Sequence, residues 1–175
     1  MDARPPLISH LIVLARARRT GTRVRIRYRD ADDAPSAREI DVLGLSFRDG
    51  RWYVLAHCHL RRALRLFRLD RVVEASATRR RACGYTLRDF DPAFFASAEI
   101  LEPGAAVAHL ATVRLVGRLA TVATALFPGA IVERDGKDRL CHVRVSRLPV
   151  LADLVESLGG SARFSARDST HGPAR

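Results

Sequence analysis

The stretch from Gly50 to Ala75, GRWYVLAHCHLRRALRLFRLDRVVEA, sets an arginine every few residues into an otherwise apolar run. Arg65, Phe67, Leu69 and Arg71 share one parity, so on a strand two guanidinium groups would flank two apolar side chains on a single face. Such a face offers an apolar floor with a cationic rim. Phosphates would sit on Arg65 and Arg71, with Arg68 counted beside them, and a base could lie over Phe67 or Tyr53. Tyr53, Leu55, His57 and His59 share parity on the preceding run, where His57 supplies a donor, an acceptor, or a charge below neutral pH. If buried, Arg65 and Arg71 need an anionic partner, and either a ligand or an internal salt bridge would satisfy them.

The other side chains in this stretch have plainer expectations. Trp52 and Phe67 suit the core of a small curved sheet, which needs its few aromatics inside. Asp70 suits a structural ion pair with Arg68 or Arg71. His57-Cys58-His59 invites zinc, with Cys83, Cys141 or His142 to complete the set. Alternation points the histidines away from Cys58, however, and no second close ligand pair exists, so no metal or other cofactor is expected.

Upstream, Arg23, Arg25, Arg27 and Arg29 alternate with Val24, Ile26 and Tyr28, a strand with one wholly basic face. Neighbours on that face lie about 6.6 Å apart and repel by about 0.6 kcal/mol in water. A solvated strand tolerates that, and a polyanion would relieve it; Arg25 and Arg27 are the members counted toward a binding track. The 175 residues carry a formal charge of +11, and all but one of the 30 basic residues are arginine, Lys137 being the exception. Arginine's planar fork suits phosphate, although a GC-rich genome gives the same bias.

Catalysis finds no support: there is no Gly-rich phosphate loop, no HExxH, no GxSxG and no carboxylate pair in an apolar context. Three cysteines without a CxxC pair argue for a reducing compartment, and with neither a signal peptide nor a membrane span in view a cytoplasmic protein is expected.

The elements that would position these residues are a helix from Leu7 to about Arg19 stopped by Gly21, then strands Arg23–Arg29, Arg38–Phe47, Trp52–Cys58 and Leu64–Val73, with Asp49-Gly50 as a hairpin turn. Arg79-Arg80-Arg81 closes that unit as a solvated linker. A connecting segment follows, with a short helix near 92–98. From His109 the order becomes strand 112–116, helix 118–127, strands 130–134 and 140–145 around Asp135-Gly136, helix 148–158 and strand 162–165. That β-α-β-β-α-β order is the ferredoxin-like plan. The expected layout is an α+β chain with a leading helix and small curved sheet over 1–83, a linker over 84–109, a ferredoxin-like domain over 110–165, and a disordered tail over 166–175.

Trp52-Tyr53-Val54 on one strand, followed by Arg65, Phe67, Arg68, Asp70 and Arg71, resembles the WYL domain of bacterial transcriptional regulators. The second half is similar in plan to the C-terminal WCX extension of that family. The resemblance implies an Sm- or SH3-like β-barrel that senses a ligand, single-stranded nucleic acid being a leading class, with Tyr28 and Ser46 joining Tyr53 along the groove, and it implies homodimers. Only one helix precedes Arg23, so the winged helix-turn-helix typical of these regulators is not expected. Two readings therefore stand: a sensor that binds single-stranded nucleic acid or a related phosphorylated ligand, and an accessory subunit that modulates a partner carrying the DNA-binding domain or a CRISPR or other defence nuclease.

Overall fold

A computed structural model describes residues 7–84, 109–127, 129–145 and 147–165. The chain divides into two units, residues 1–98 and 99–175. The expected linker, apart from its end residues, the helix near 92–98 and the tail over 166–175 lie outside the described residues.

In the first unit, helix α1 (Leu7–Thr20) is followed by β1 (Thr22–Arg29), β2 (Pro35–Arg48), β3 (Arg51–Cys58), β4 (Ala63–Arg68) and β5 (Val72–Arg81). Gly21, at φ +61°, ends the helix in the left-handed region where a Cβ is unwelcome. Helix α1 packs on β1, β2 and β5 and buries Leu11, Ile12 and Leu14 with Val24, Ile26, Ile40, Val54, Leu69 and Val72. Each large side chain so buried is worth about 1.5–3 kcal/mol, and together they hold the helix to the sheet. Asp49 and Gly50 both take positive φ, the type I′ geometry that lets β2 turn tightly into β3. Trp52 and Phe67 are core residues, as expected.

The strands run in the order β4-β3-β2-β1-β5, every pairing antiparallel. Three expectations fail here. The fourth strand does not run through to Val73: it stops at Arg68, and Leu69–Arg71 makes a 3-10 turn with Leu69 buried. A fifth strand, not expected, then pairs with β1, so Arg79-Arg80-Arg81 is the exposed end of a ladder rather than a linker, with Arg81 opposite Thr22. The sheet is also not a closed barrel, because the turn at Leu69–Arg71 sends β5 to the far edge beside β1, and no pairing joins β4 to β5 among the described residues. A shift of register between Val42 and Gly44 leaves one extra residue on β2, which bends and twists the sheet at its centre.

The second unit contains β6 (His109–Leu115), a 3-10 turn (Gly117–Val122) running into the short helix α2 (Ala123–Leu126), β7 (Ile131–Asp135), β8 (Asp138–Val145), α3 (Leu148–Ser157) and β9 (Ala162–Phe164). Its antiparallel sheet has the order β7-β8-β6-β9. Val113, Leu115, Cys141 and Val143 alternate inward and are buried, as are Leu119, Leu151 and Leu154. The expected first helix is mostly 3-10: Gly117 to Val122 turns tightly, and only Ala123–Leu126 is α-helical.

Candidate functional site

Cross-strand register sorts the candidate residues of the first unit. Residues directly opposite one another share a face of the sheet. Ile26 lies opposite Arg38 and Tyr28 opposite Ser36, which puts Arg38 on the same side as Val24, Ile26 and Tyr28. Tyr28 and Phe67, both buried, meet edge to face with ring centroids 5.1 Å apart. The Arg38 guanidinium carbon sits 5.8 Å from the centroid of each ring. Its Nε donates to Ser36 Oγ at 3.0 Å, and Ser36 Oγ donates to the Tyr28 carbonyl at 3.2 Å. Arg38 is half-buried and forms no ion pair among the described residues.

A charge in that position is held by two aromatic faces and one hydroxyl, which leaves donors of the fork without an anion. Arg65, two residues before Phe67 on β4, shares its face. It is exposed and likewise forms no ion pair among the described residues. Arg71 lies on the 3-10 turn, where strand parity no longer applies. The parity that set Arg71 beside Arg65 therefore ends at Arg68, while Arg38 shares the face of Arg65.

The other candidates fall on the opposite parity. Ser46, Tyr53 and Arg68 form one row across β2, β3 and β4. Arg68 grips Asp70 with Nε at 3.1 Å and Nη2 at 2.5 Å, so the Asp70 carboxyl is held below its usual range first by that hydrogen bond. Asp70 is thus the structural partner expected. Further along the row's face, His57 lies opposite Asp41 and is buried, stacked edge-on against His59 with centroids 5.0 Å apart. Burial, then the neighbouring His59, pushes the His57 imidazole toward its neutral form. Arg25 and Arg27 point outward as expected and pair with Glu39 at 3.3 Å and Glu74 at 3.8 Å. The basic face is therefore partly neutralised.

Arg23 departs from the solvated face assigned to it. Its side chain is 12% exposed, and its Nε donates to Asp41 Oδ1 at 2.9 Å. Asp41 is buried on β2 and accepts on Oδ2 from the Cys83 backbone N–H at 2.9 Å, with His59 Nε2 also at 2.9 Å. Burial alone would raise the Asp41 carboxyl; the Cys83, Arg23 and His59 contacts outweigh it and hold the group below its usual range.

Sequence reasoning missed Arg38 and Asp41, and it named Cys83 only as one of three residues that might complete a zinc set it then set aside. Arg38 carried a signal, an arginine on the parity of Ile40 and Val42, whereas Cys83 meets Asp41 only because β5 runs back beside β1.

A profile of the WYL domain matches residues 9–77. Residues 9–77 thus carry a WYL domain. Most of helix α1, all of β1 to β4 and most of β5 lie within the match. Among solved structures, the chain is similar to the proteasome accessory factor B/C (PafBC) of Arthrobacter aurescens, at 25% identity and a TM-score of 0.44, over 96% of this chain and 26% of that one. The chain thus spans about a quarter of that protein's length. No curated protein matches it. Among the described residues, no helix is long and apolar enough to cross a membrane.

Proposed function

We propose that this WYL domain is a sensor that binds single-stranded nucleic acid or a related phosphorylated ligand, and that it acts as a binder rather than a catalyst. The observation that carries the reading is Arg38: a half-buried guanidinium set over Tyr28 and Phe67, with a hydroxyl but no carboxylate bonded to it among the described residues. A cation already lifted out of bulk water binds an anion more strongly than a fully solvated one, because less water must be displaced. Arg65 on the same face would take a second phosphate oxygen. Tyr53, Ser46 and Arg68 would border the ligand from the opposite parity where the sheet curves. The open, bent five-stranded sheet behind one helix supports an Sm-like reading of the fold. The antiparallel order β7-β8-β6-β9 supports a ferredoxin-like reading of the second unit.

The test is fluorescence anisotropy with single-stranded DNA, single-stranded RNA and duplex DNA of equal length, at low and near-physiological salt, for the wild type, Arg38→Met and Arg65→Ala. A single-strand preference should persist at near-physiological salt. Arg38→Met should weaken it about tenfold or more, the worth of one hydrogen bond to a charged group. Equal binding of all three, falling steeply with salt and unchanged in Arg38→Met, would reduce the interaction to general electrostatics and overturn the reading.

A further inference from the structure

Three strands of one sheet deliver three different metal-ligand types to one corner of the first unit. Asp41 comes from β2, His59 from just beyond β3, and Cys83 from just beyond β5. A carboxylate oxygen, an imidazole nitrogen and the Cys83 Sγ all lie within 4.8 Å of one another, with His59 Nε2 and Asp41 Oδ2 at 2.9 Å. Tetrahedral zinc, with bonds of about 2.0–2.3 Å, sets its ligand atoms about 3.4–3.6 Å apart. The one short separation, 2.9 Å, falls below that value and every other lies under 4.8 Å, so modest side-chain movement closes the set.

The surroundings are those of ligand atoms held by outer partners. Arg23 Nε donates to Asp41 Oδ1, which leaves Oδ2 facing His59, and Arg23 Nη2 reaches Cys83 Sγ at 3.4 Å. A divalent cation would offset the charges of Asp41 and the Cys83 thiolate, while Arg23 is itself accompanied by Glu39 at 3.6 Å. Asp41 is buried, His59 is about one quarter exposed, and Cys83 is open to solvent, so an ion has a route in and a position left for water.

We propose that Asp41, His59 and Cys83 form a binding site for a borderline divalent cation of the zinc type, with water as the fourth ligand. On binding, Cys83 sheds its proton to the buffer, and His59 turns the Nε2 lone pair toward the metal with its proton on Nδ1. This reverses the expectation of no metal, which weighed His57, Cys58 and His59 with Cys83, Cys141 or His142; Cys58 is buried on the other parity of β3, and Asp41 takes its place.

The experiment is titration of the chelator-treated full chain with Co²⁺, followed by competition with Zn²⁺. Expected are one Co²⁺ per chain, a thiolate-to-cobalt charge-transfer band, tetrahedral d–d bands, and displacement by zinc. Cys83→Ser should abolish the charge-transfer band and His59→Gln should retain it, each weakening binding at least about tenfold. Because Cys83 is exposed, Cys83→Ser should melt as the wild type does without metal, while Zn²⁺ should raise the wild-type melting temperature more than the variant's. No stoichiometric uptake, or a charge-transfer band that persists in Cys83→Ser, where only Cys58 and Cys141 remain, would overturn the proposal.

Discussion

Arg23 and Arg38 stand on neighbouring strands of one sheet, and both are half-buried, yet their surroundings differ in kind. Arg23 is saturated: it bonds Asp41 at 2.9 Å and lies 3.6 Å from Glu39. Arg38 meets two aromatic rings and one hydroxyl, with no ion pair among the described residues. The general expectation that a buried arginine needs an anion holds for both, but among the described residues only Arg23 finds it. The first arrangement ties strand ends together, and the second leaves binding capacity for something outside.

The sharpest way to break this comparison is to remove Asp41. Asp41→Ala leaves Arg23 buried without its main partner and the Cys83 N–H without its acceptor. The first unit should lose about 3 kcal/mol or more, a fall of more than ~10 °C in its melting temperature. If thermal denaturation of the variant matches the wild type, the Arg23 corner is not the tie described. The counterpart is Arg38→Met, which keeps the apolar contact with Tyr28 and Phe67. Its cost in stability should stay below about 1 kcal/mol, the scale of an exposed cation–π contact, measured by urea titration. A loss as large as that of Asp41→Ala would make Arg38 a structural residue.

A smaller effect concerns pH. Burial pushes His10 on α1 down from its usual value, and burial followed by His59 does the same to His57. The folded chain therefore holds fewer protons on these groups than the unfolded chain once pH falls below about 6.5. Their contribution is complete above that pH and is lost as pH falls toward the folded values. Melting temperature should drop between about pH 7.5 and 5.5, and His10→Leu should flatten part of that slope. His10 Nδ1 is buried without a hydrogen-bond partner among the described residues, so an apolar replacement costs little at neutral pH. A melting temperature that rises on acidification would contradict this account.

Much of the first unit could be read locally. Val24, Ile26 and Tyr28 alternate inward because a strand has period two, and Asp49-Gly50 turns because those residues accept positive φ. The reading failed where local period stops governing. The parity that set Arg71 beside Arg65 ends because Leu69–Arg71 coils into a 3-10 turn that buries Leu69. The fifth strand escaped because its burial pattern shows almost no alternation: after Val72 it is largely exposed. Its place comes from the backbone ladder with β1, to which side chains give little clue.

The sequence by itself determined the charge, the two α+β units, the inward alternation and the run of residues that marks the WYL domain, since each depends on composition or on neighbours within a few positions. Tertiary structure decided which arginines are satisfied and which are open. Arg23 meets Asp41 across 18 residues and Cys83 across 60, and Arg38 meets Phe67 across the curve of the sheet. Those meetings follow from strand order and twist, which no short-range period encodes.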